Sequence, residues 1–199
     1  CSSMARYGHH DKLPYKEDYE CRPQDPYGIA KKAGEDVLRN LCDTHGVEYV
    51  IAVPHNIVGP RQKYDDPFRN VMSIMLNRML QGKQPIIYGD GEQKRSFSNI
   101  MDCVDAVEKI VNTDRDLCGE VYNIGGGIKN TCSIIEAFEL ISSLSGKNMN
   151  YTYSESNRIG DHICYYSDLS KINKHYPNWT IQKDLRQIFK DIYVSWINR

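Results

Sequence analysis

The stretch "DPYGIAKKAGEDVLRNLCDTHGVEYVIAVPHNIVGP" (residues 25–60) has a helix pattern followed at once by a strand pattern. Asp25 can cap a helix that begins at Pro26, and Gly46 stands just beyond its expected end. The β-rich run after Gly46 is too short for a helix and stops at Pro54, which suits a buried strand. The helix is predicted over 25–42, with apolar residues at the helical period: Ala30, Ala33, Val37, Leu38 and Leu41.

The rest of the chain continues this alternation. Further strand runs are "QPIIYGDG" (84–91) and "GEVYNIGGG" (119–127). Helices are predicted near 68–81, 102–111, 132–145, 167–174 and 182–197. Strands that alternate with helices favour an α/β fold.

Composition excludes several classes of function. A net charge of -1 and an interspersed distribution of basic and acidic residues give no positive field for nucleic acid. The sequence has no run of eighteen apolar residues, so no membrane partner is expected. The seven cysteines form no C-x-x-C pair, which favours a reducing, cytoplasmic location. The six histidines show no metal-ligand spacing on a helix, so no metal is expected.

Tyr27 and Lys31 are four residues apart and therefore lie on one face of the predicted helix. A phenol can act as a base near neutral pH if a cation, a helix N-terminus or a hydroxyl such as that of Ser3 stabilises the phenolate. The spacing alone is weak support, because a chain with 14 tyrosines should contain about one such pair by chance. An ordinary solvent-facing pair is the alternative.

Five motifs together make a stronger pattern. They are "SSMARYG" (2–8) ahead of Tyr-x-x-x-Lys, "HNIVGPRQ" (55–62), "IIYGDGEQKRSFSNIMDCVDAV" (86–107), "YNIGGG" (122–127) and "RIGD" (158–161). In this order they resemble the extended short-chain dehydrogenase/reductase family of NAD-dependent nucleotide-sugar epimerases and dehydratases, and within it the UDP-glucose 4-epimerase branch.

The resemblance implies a fold and a division into domains. The fold would be the C-terminal part of a Rossmann-like doubly wound parallel sheet with an interleaved smaller α/β substrate-binding domain. Residues 1–56 and 97–127 would belong to the Rossmann-like domain, which carries the serine and the Tyr-x-x-x-Lys pair. Residues 57–96 and 128–199 would form the domain that binds the nucleotide sugar.

The resemblance also implies a reaction, the epimerisation of a UDP-sugar at C4 through a transient 4-keto intermediate. Ser3, Tyr27 and Lys31 would be the catalytic residues, with Tyr27 as the base. Tyr27 and Lys31 would also bind the cofactor, NAD, which would end each turnover unchanged. The full-length protein would be a homodimer.

The positions implied for substrate binding carry suitable chemistry. An arginine guanidinium donates hydrogen bonds in a planar fork that fits a diphosphate. By the resemblance, Arg95 and Arg158 would bind phosphate and ribose, Asn56 the diphosphate, Tyr88 the base and Asp161 the ribose.

Three alternatives stay open from the sequence. A nucleotide-sugar reductase or decarboxylase would use the same residues with a different redox balance, and a non-catalytic nucleotide-sugar binding module would need no NAD-binding half. Dehydration is disfavoured, because Met4 and Ala5 stand where the dehydratases place an acidic pair. A thioether and a methyl group cannot transfer protons.

The 199 residues contain no G-x-G-x-x-G turn for the cofactor pyrophosphate, so the resemblance covers only the latter half to two-thirds of a family enzyme. Cys1 is therefore expected to lie inside a longer protein.

We predict that residues 1–199 alone bind NAD poorly and aggregate, because a sheet edge and an apolar face would be exposed. Calorimetric titration with NAD, together with light scattering, measures both properties. Tight NAD binding by a monomeric fragment would contradict the prediction.

Overall fold

The computed structural model describes residues 1–63, 71–114, 116–148, 150–154 and 164–198. In these ranges the helices are α1 (Pro26–His45), α2 (Val71–Leu80), α3 (Ile100–Val111), α4 (Ile134–Ser145), α5 (Ser170–His175) and α6 (Leu185–Ile197), and a short 3-10 helix covers Met4–Arg6. The strands are β1 (Ile51–Pro54), β2 (Ile57–Val58), β3 (Ile86–Tyr88), β4 (Lys94–Ser96), β5 (Ser98–Asn99), β6 (Val121–Ile124), β7 (Thr131–Ser133), β8 (Thr152–Ser154) and β9 (Cys164–Tyr165). The predicted α/β class is confirmed.

Most strand pairs are parallel, as alternation with helices requires. β1 pairs with β6, β2 with β5, and β3 with β8, each in parallel. β4 lies between antiparallel β7 and parallel β9. The N-terminus extends the first pair, since the Ser2 amide donates to the Ala52 carbonyl at 2.8 Å. The chain therefore begins alongside β1.

Helix α1 begins and ends on the residues that the sequence indicates. The Asp25 carboxylate accepts a hydrogen bond from the Gly28 amide at 2.9 Å, and Pro26 occupies the first turn. Gly46 takes the left-handed conformation at a φ of 64°, and its amide donates to the Cys42 carbonyl. Both capping residues are thus confirmed, and the helix extends to His45, beyond the predicted end at Cys42.

The orientation of α1 differs from what its apolar period suggests. Val37 and Leu41 are more than half exposed, whereas Gly28, Glu35 and Cys42 are buried. The face that packs against the rest of the protein is therefore small and polar, because it meets backbone carbonyls and charged groups rather than a hydrophobic layer.

Three hydrophobic clusters form the interior. The first joins α2, α4 and α6; the second joins α3, β6 and α5 and includes the buried Trp179. The third lies around β1 and contains Tyr7, Tyr15 and Tyr165.

The division into two domains, residues 1–56 with 97–127 and residues 57–96 with 128–199, stays a prediction. Within the described ranges every helix is too short or too polar to cross a bilayer.

Two glycines of α1 make a matched pair for a stability test. A Cβ on Gly28 would lie 2.5 Å from the Ala5 carbonyl oxygen, whereas a Cβ on Gly34 would meet nothing within 4 Å. We expect Gly34→Ala to raise the free energy of unfolding by about 0.5–1 kcal/mol, because alanine loses less backbone entropy in a helix. Gly28→Ala should lower it by about 1–3 kcal/mol through the clash. Thermal unfolding of the complete gene product measures both changes, and shifts of the same sign would contradict this packing.

Candidate active site

Ser3 lies in a tight turn next to the carboxyl end of β1. We call residues 2–7 the serine turn. Ser3 is buried, and its hydroxyl oxygen accepts a hydrogen bond from the Ala5 amide at 3.3 Å, which caps the 3-10 helix. Since Ser2 is bonded to Ala52 of β1, Ser3 stands at the edge of the sheet where parallel strands end. Ligands of open α/β sheets bind at that edge.

Helix α1 packs directly on this turn. The close approach of Gly28 to the Ala5 carbonyl brings the first turn of α1 against the 3-10 helix. One turn further along α1, the Lys31 ammonium donates to the Cys1 carbonyl at 3.3 Å. The structure thus attaches the helix that carries Tyr27 and Lys31 to the turn that carries Ser3, and the three predicted catalytic residues belong to one packed unit.

Tyr27 lies beside a cation near the start of α1. Lys31 Nζ lies 5.8 Å from the centroid of the Tyr27 ring, and Tyr27 is the second residue of α1. The N-terminus of a helix carries a partial positive charge, and a cation at this distance interacts with the ring. Tyr27 is 57% exposed, so its phenol is accessible to another molecule.

Asn56 connects the end of β1 to the strands β4 and β5. Its backbone has a φ of 34°, in the left-handed region that few non-glycine residues adopt. The Asn56 side-chain amide donates to the Ser96 carbonyl at 2.9 Å, and its own carbonyl accepts from the Ser98 amide at 3.2 Å. These bonds fix a corner immediately after the strand that runs beside Ser2.

The other predicted substrate residues lie on two further sheets. Arg95 is in β4, between Cys132 of β7 and Tyr165 of β9, and directly precedes the residue that Asn56 bonds. Tyr88 ends β3 and pairs with β8. Arg158 and Asp161 lie outside the described residues. The strands on either side of them, β8 and β9, pair with the strands that carry Tyr88 and Arg95.

A buried polar network behind the serine turn has no sequence signature. The Tyr7 hydroxyl donates to the Asn123 side-chain oxygen at 2.8 Å, and the Asn123 side-chain nitrogen Nδ2 donates to the Tyr15 carbonyl at 3.0 Å. Tyr15 stacks on Tyr165 at 4.3 Å, and the Tyr165 hydroxyl donates to the Met4 carbonyl. The network therefore joins the serine turn to β6 and β9. Hydrophobic periodicity does not predict it, because its members come from distant parts of the chain.

Comparison with known proteins assigns this architecture. A model of the NAD dependent epimerase/dehydratase family matches residues 1–125. The chain belongs to this family. A Methanocaldococcus jannaschii protein provisionally named a UDP-glucose 4-epimerase is 33% identical over 198 residues, covering 98% of this chain and 61% of the relative. A dTDP-glucose 4,6-dehydratase of Actinoplanes is 30% identical, covering 83% of this chain and 49% of the relative.

Solved structures agree in fold. The UDP-glucuronic acid 4-epimerase of Bacillus cereus, in complex with UDP-glucuronic acid and NAD, superposes with a TM-score of 0.89 at 27% identity. The match covers 99% of this chain and 60% of that structure. The Rossmann-like α/β fold of the epimerases is thereby confirmed, and the chain spans about three-fifths of the length of these epimerases.

His55 precedes Asn56 in this epimerase-family chain and is completely buried. Its ring packs edge-on against Tyr165 at 5.8 Å, and neither ring nitrogen has a hydrogen-bond partner among the described residues. Burial lowers the pKa of His55 to about 3. The nearby Asn123 side chain opposes this shift, but burial is the larger effect. His55 is therefore a neutral residue of the interior.

This burial predicts a pH dependence of stability. Because the folded-state pKa of His55 is below its unfolded value of 6.5, the unfolded state takes up a proton first as the pH falls. Its contribution to stability is complete above pH 6.5 and is lost between 6.5 and about 3, at up to about 1.4 kcal/mol per pH unit. We expect His55→Phe to flatten the dependence of the urea midpoint on pH in this window. The exposed His9→Gln is the control, and equal slopes in the two variants would contradict the assignment.

Proposed function

We propose that the complete protein is an NAD-dependent UDP-sugar 4-epimerase, with Tyr27 as its base. The observation that carries the proposal is that α1, in which Lys31 lies beside the Tyr27 ring, packs on the serine turn that contains Ser3. Similarity to 4-epimerases along almost the whole chain supports the same reaction.

The residues of this chain would divide the proton chemistry among them. Tyr27 removes the proton from the sugar 4-hydroxyl, Lys31 stabilises the phenolate by charge, and Ser3 forms a hydrogen bond to the same hydroxyl. Bound NAD would supply reversible hydride transfer at C4 of the sugar. Tyr27 then returns the proton, so the reaction needs no net oxidant.

The same face of α1 suits the cofactor. The Lys31 ammonium has three donors, and in the structure it bonds one backbone carbonyl, that of Cys1, at 3.3 Å. A cation at this place is able to bond ribose hydroxyls while it neutralises the phenolate. Tyr27 and Lys31 are thus the cofactor contacts that we propose within this chain.

The substrate would be held by residues from several strands. Arg95 and Arg158 are proposed to bind phosphate and ribose, and Asn56 the diphosphate. Tyr88 would pack on the base, and Asp161 would bind the ribose. The pairing of β4 with β9 and of β3 with β8 supports a common site, because it places Arg95 and Tyr88 beside the strands that flank Arg158 and Asp161.

Dehydration is disfavoured, although dehydratases are among the relatives. Met4 and Ala5 follow Ser3 in the 3-10 helix, and neither side chain can donate or accept a proton. Reductase and decarboxylase activities would change the amount of NADH, whereas epimerisation leaves it unchanged. A binding module would bind UDP without NAD and show no turnover.

We also propose that two copies pair through α1 and α3. Both helices expose large apolar residues in the described part of the chain, including Val37 and Leu41 on α1 and Met101 and Val111 on α3. Exposed apolar surface of this kind marks sites of association. The homodimer is an expectation for the complete gene product in the cytoplasm.

The base is tested by Tyr27→Phe in the complete gene product. Loss of the hydroxyl should lower kcat by at least about 100-fold, because general base catalysis contributes this much or more. UDP-glucose, UDP-glucuronic acid and UDP-N-acetylglucosamine are offered in turn, and epimers are separated chromatographically while absorbance follows NADH. Tyr193→Phe on α6 is the matched control and should keep full activity.

The outcomes separate the candidates. Retained turnover in Tyr27→Phe would show that Tyr27 is not the base. Absence of turnover with every sugar, together with binding of UDP in the absence of NAD, would favour the binding module. Net formation of NADH would favour an oxidoreductase.

A further inference from the structure

Glu35 is an unusual residue to bury in α1. It is 4% exposed, although Val37 and Leu41 of the same helix face solvent. It follows Lys31 by four residues and Tyr27 by eight, so it lies on nearly the same side of the helix, further from the N-terminus. A carboxylate at such a depth requires compensating contacts.

These contacts come from the serine turn. The Ser2 hydroxyl donates to Glu35 Oε1, and Arg6 Nη2 forms an ion pair with Glu35 Oε2 at 3.1 Å. Ser2 directly precedes Ser3, and Arg6 follows it by three residues. The Glu35 carboxylate of α1 therefore contacts the serine turn both before and after Ser3 in the sequence.

The Arg6 side chain is itself held by further contacts. Its side chain is 6% exposed, its Nε donates to the Cys21 sulfur at 3.0 Å, and its guanidinium lies 5.2 Å from the centroid of the Tyr7 ring. A buried ion pair contributes little net stability, because desolvation offsets the attraction, but removal of one partner leaves an uncompensated charge. The role of this ion pair is to select one arrangement of α1 and the serine turn, which it joins.

We infer that Glu35 is a positioning residue, whose carboxylate sets the Ser3 hydroxyl relative to Tyr27 by tying the serine turn to α1. The inference rests on the proposed function for its effect on rate. Gly28 and Lys31 also link α1 to this segment, but through backbone carbonyls, at Ala5 of the turn and at Cys1 just before it. Glu35 is the described residue of α1 that bonds side chains on both sides of Ser3.

A shift of the turn would act on the transition state rather than on binding. Ser3 would bond the hydroxyl that loses its proton, whereas the diphosphate would be held by residues outside α1 and the turn. A displacement of about 1 Å at a reacting group costs up to about 100-fold in rate. Loss of the Glu35 contacts should therefore lower kcat and leave KM for the UDP-sugar almost unchanged.

The test is a double-mutant cycle in the complete gene product. Glu35→Gln removes the charge, and the same change is made in a Ser3→Ala background. We expect about a 10-fold or greater fall in kcat with serine present, less than a twofold change in KM, and no further fall when Ser3 is absent. A purely structural role would lower kcat by the same factor in both backgrounds.

Two further variants protect the test against misfolding. Arg6→Met with Glu35→Gln leaves no unpaired charge, and it should show the same dependence on Ser3. Asp36→Asn, at the exposed neighbour that pairs with Lys32, is the matched control and should leave kcat unchanged. Thermal unfolding confirms that each variant is folded at the assay temperature.

Hydrogen exchange gives a readout independent of activity. In Glu35→Gln the amides of Arg6 and Tyr7 should exchange faster, with those of β6 unchanged. Unchanged exchange in the turn, an unchanged kcat, or equal losses with and without Ser3 would each overturn the inference. Absence of turnover in the unsubstituted protein would instead reject the proposed function, and the exchange measurement would still decide whether Glu35 holds the turn.

Discussion

The contact between α1 and the serine turn is the constraint on which the rest of the site depends. A glycine lets the helix approach the Ala5 carbonyl, a lysine reaches the Cys1 carbonyl, and a carboxylate holds Ser2 and Arg6. These are polar or backbone contacts, which have strict geometry, whereas a hydrophobic contact tolerates sliding. The part of the molecule that must place three chemical groups is therefore fixed by directional interactions.

The surrounding structure supports this contact from the other side. The turn rests on a cluster of tyrosines, and the Tyr165 hydroxyl bonds the Met4 carbonyl next to Ser3. Asn123 bonds both the Tyr7 hydroxyl and the Tyr15 carbonyl, which ties β6 to the same cluster. Burial of His55 without a hydrogen bond to its ring among the described residues costs free energy, and this residue directly precedes the corner at Asn56.

Local signals predicted the elements well, because each depends on neighbouring residues. Asp25 and Gly46 marked the ends of α1, and the β-rich runs gave β1, β3 and β6. The shortest strands, such as β5 and β9, escaped prediction, since two residues carry no period. The site motifs were recognised by order and spacing, and the structure joins Ser3, Tyr27 and Lys31 through one helix packing. The roles of Tyr88, Arg95 and Asn56 stay predictions.

The apolar period of α1 predicts the helix but not which side of it is buried, and the reason is physical. Hydrophobic periodicity shows that one side of a helix is apolar, but it does not show which part of the protein covers that side. In α1 the polar side is occupied by the serine turn, so Val37 and Leu41 project outward on the other. A partner on that apolar side would press the helix toward the turn rather than compete with it. Association through α1 and exact placement of Tyr27, Lys31 and Ser3 would then reinforce each other, since both limit the movement of the same helix.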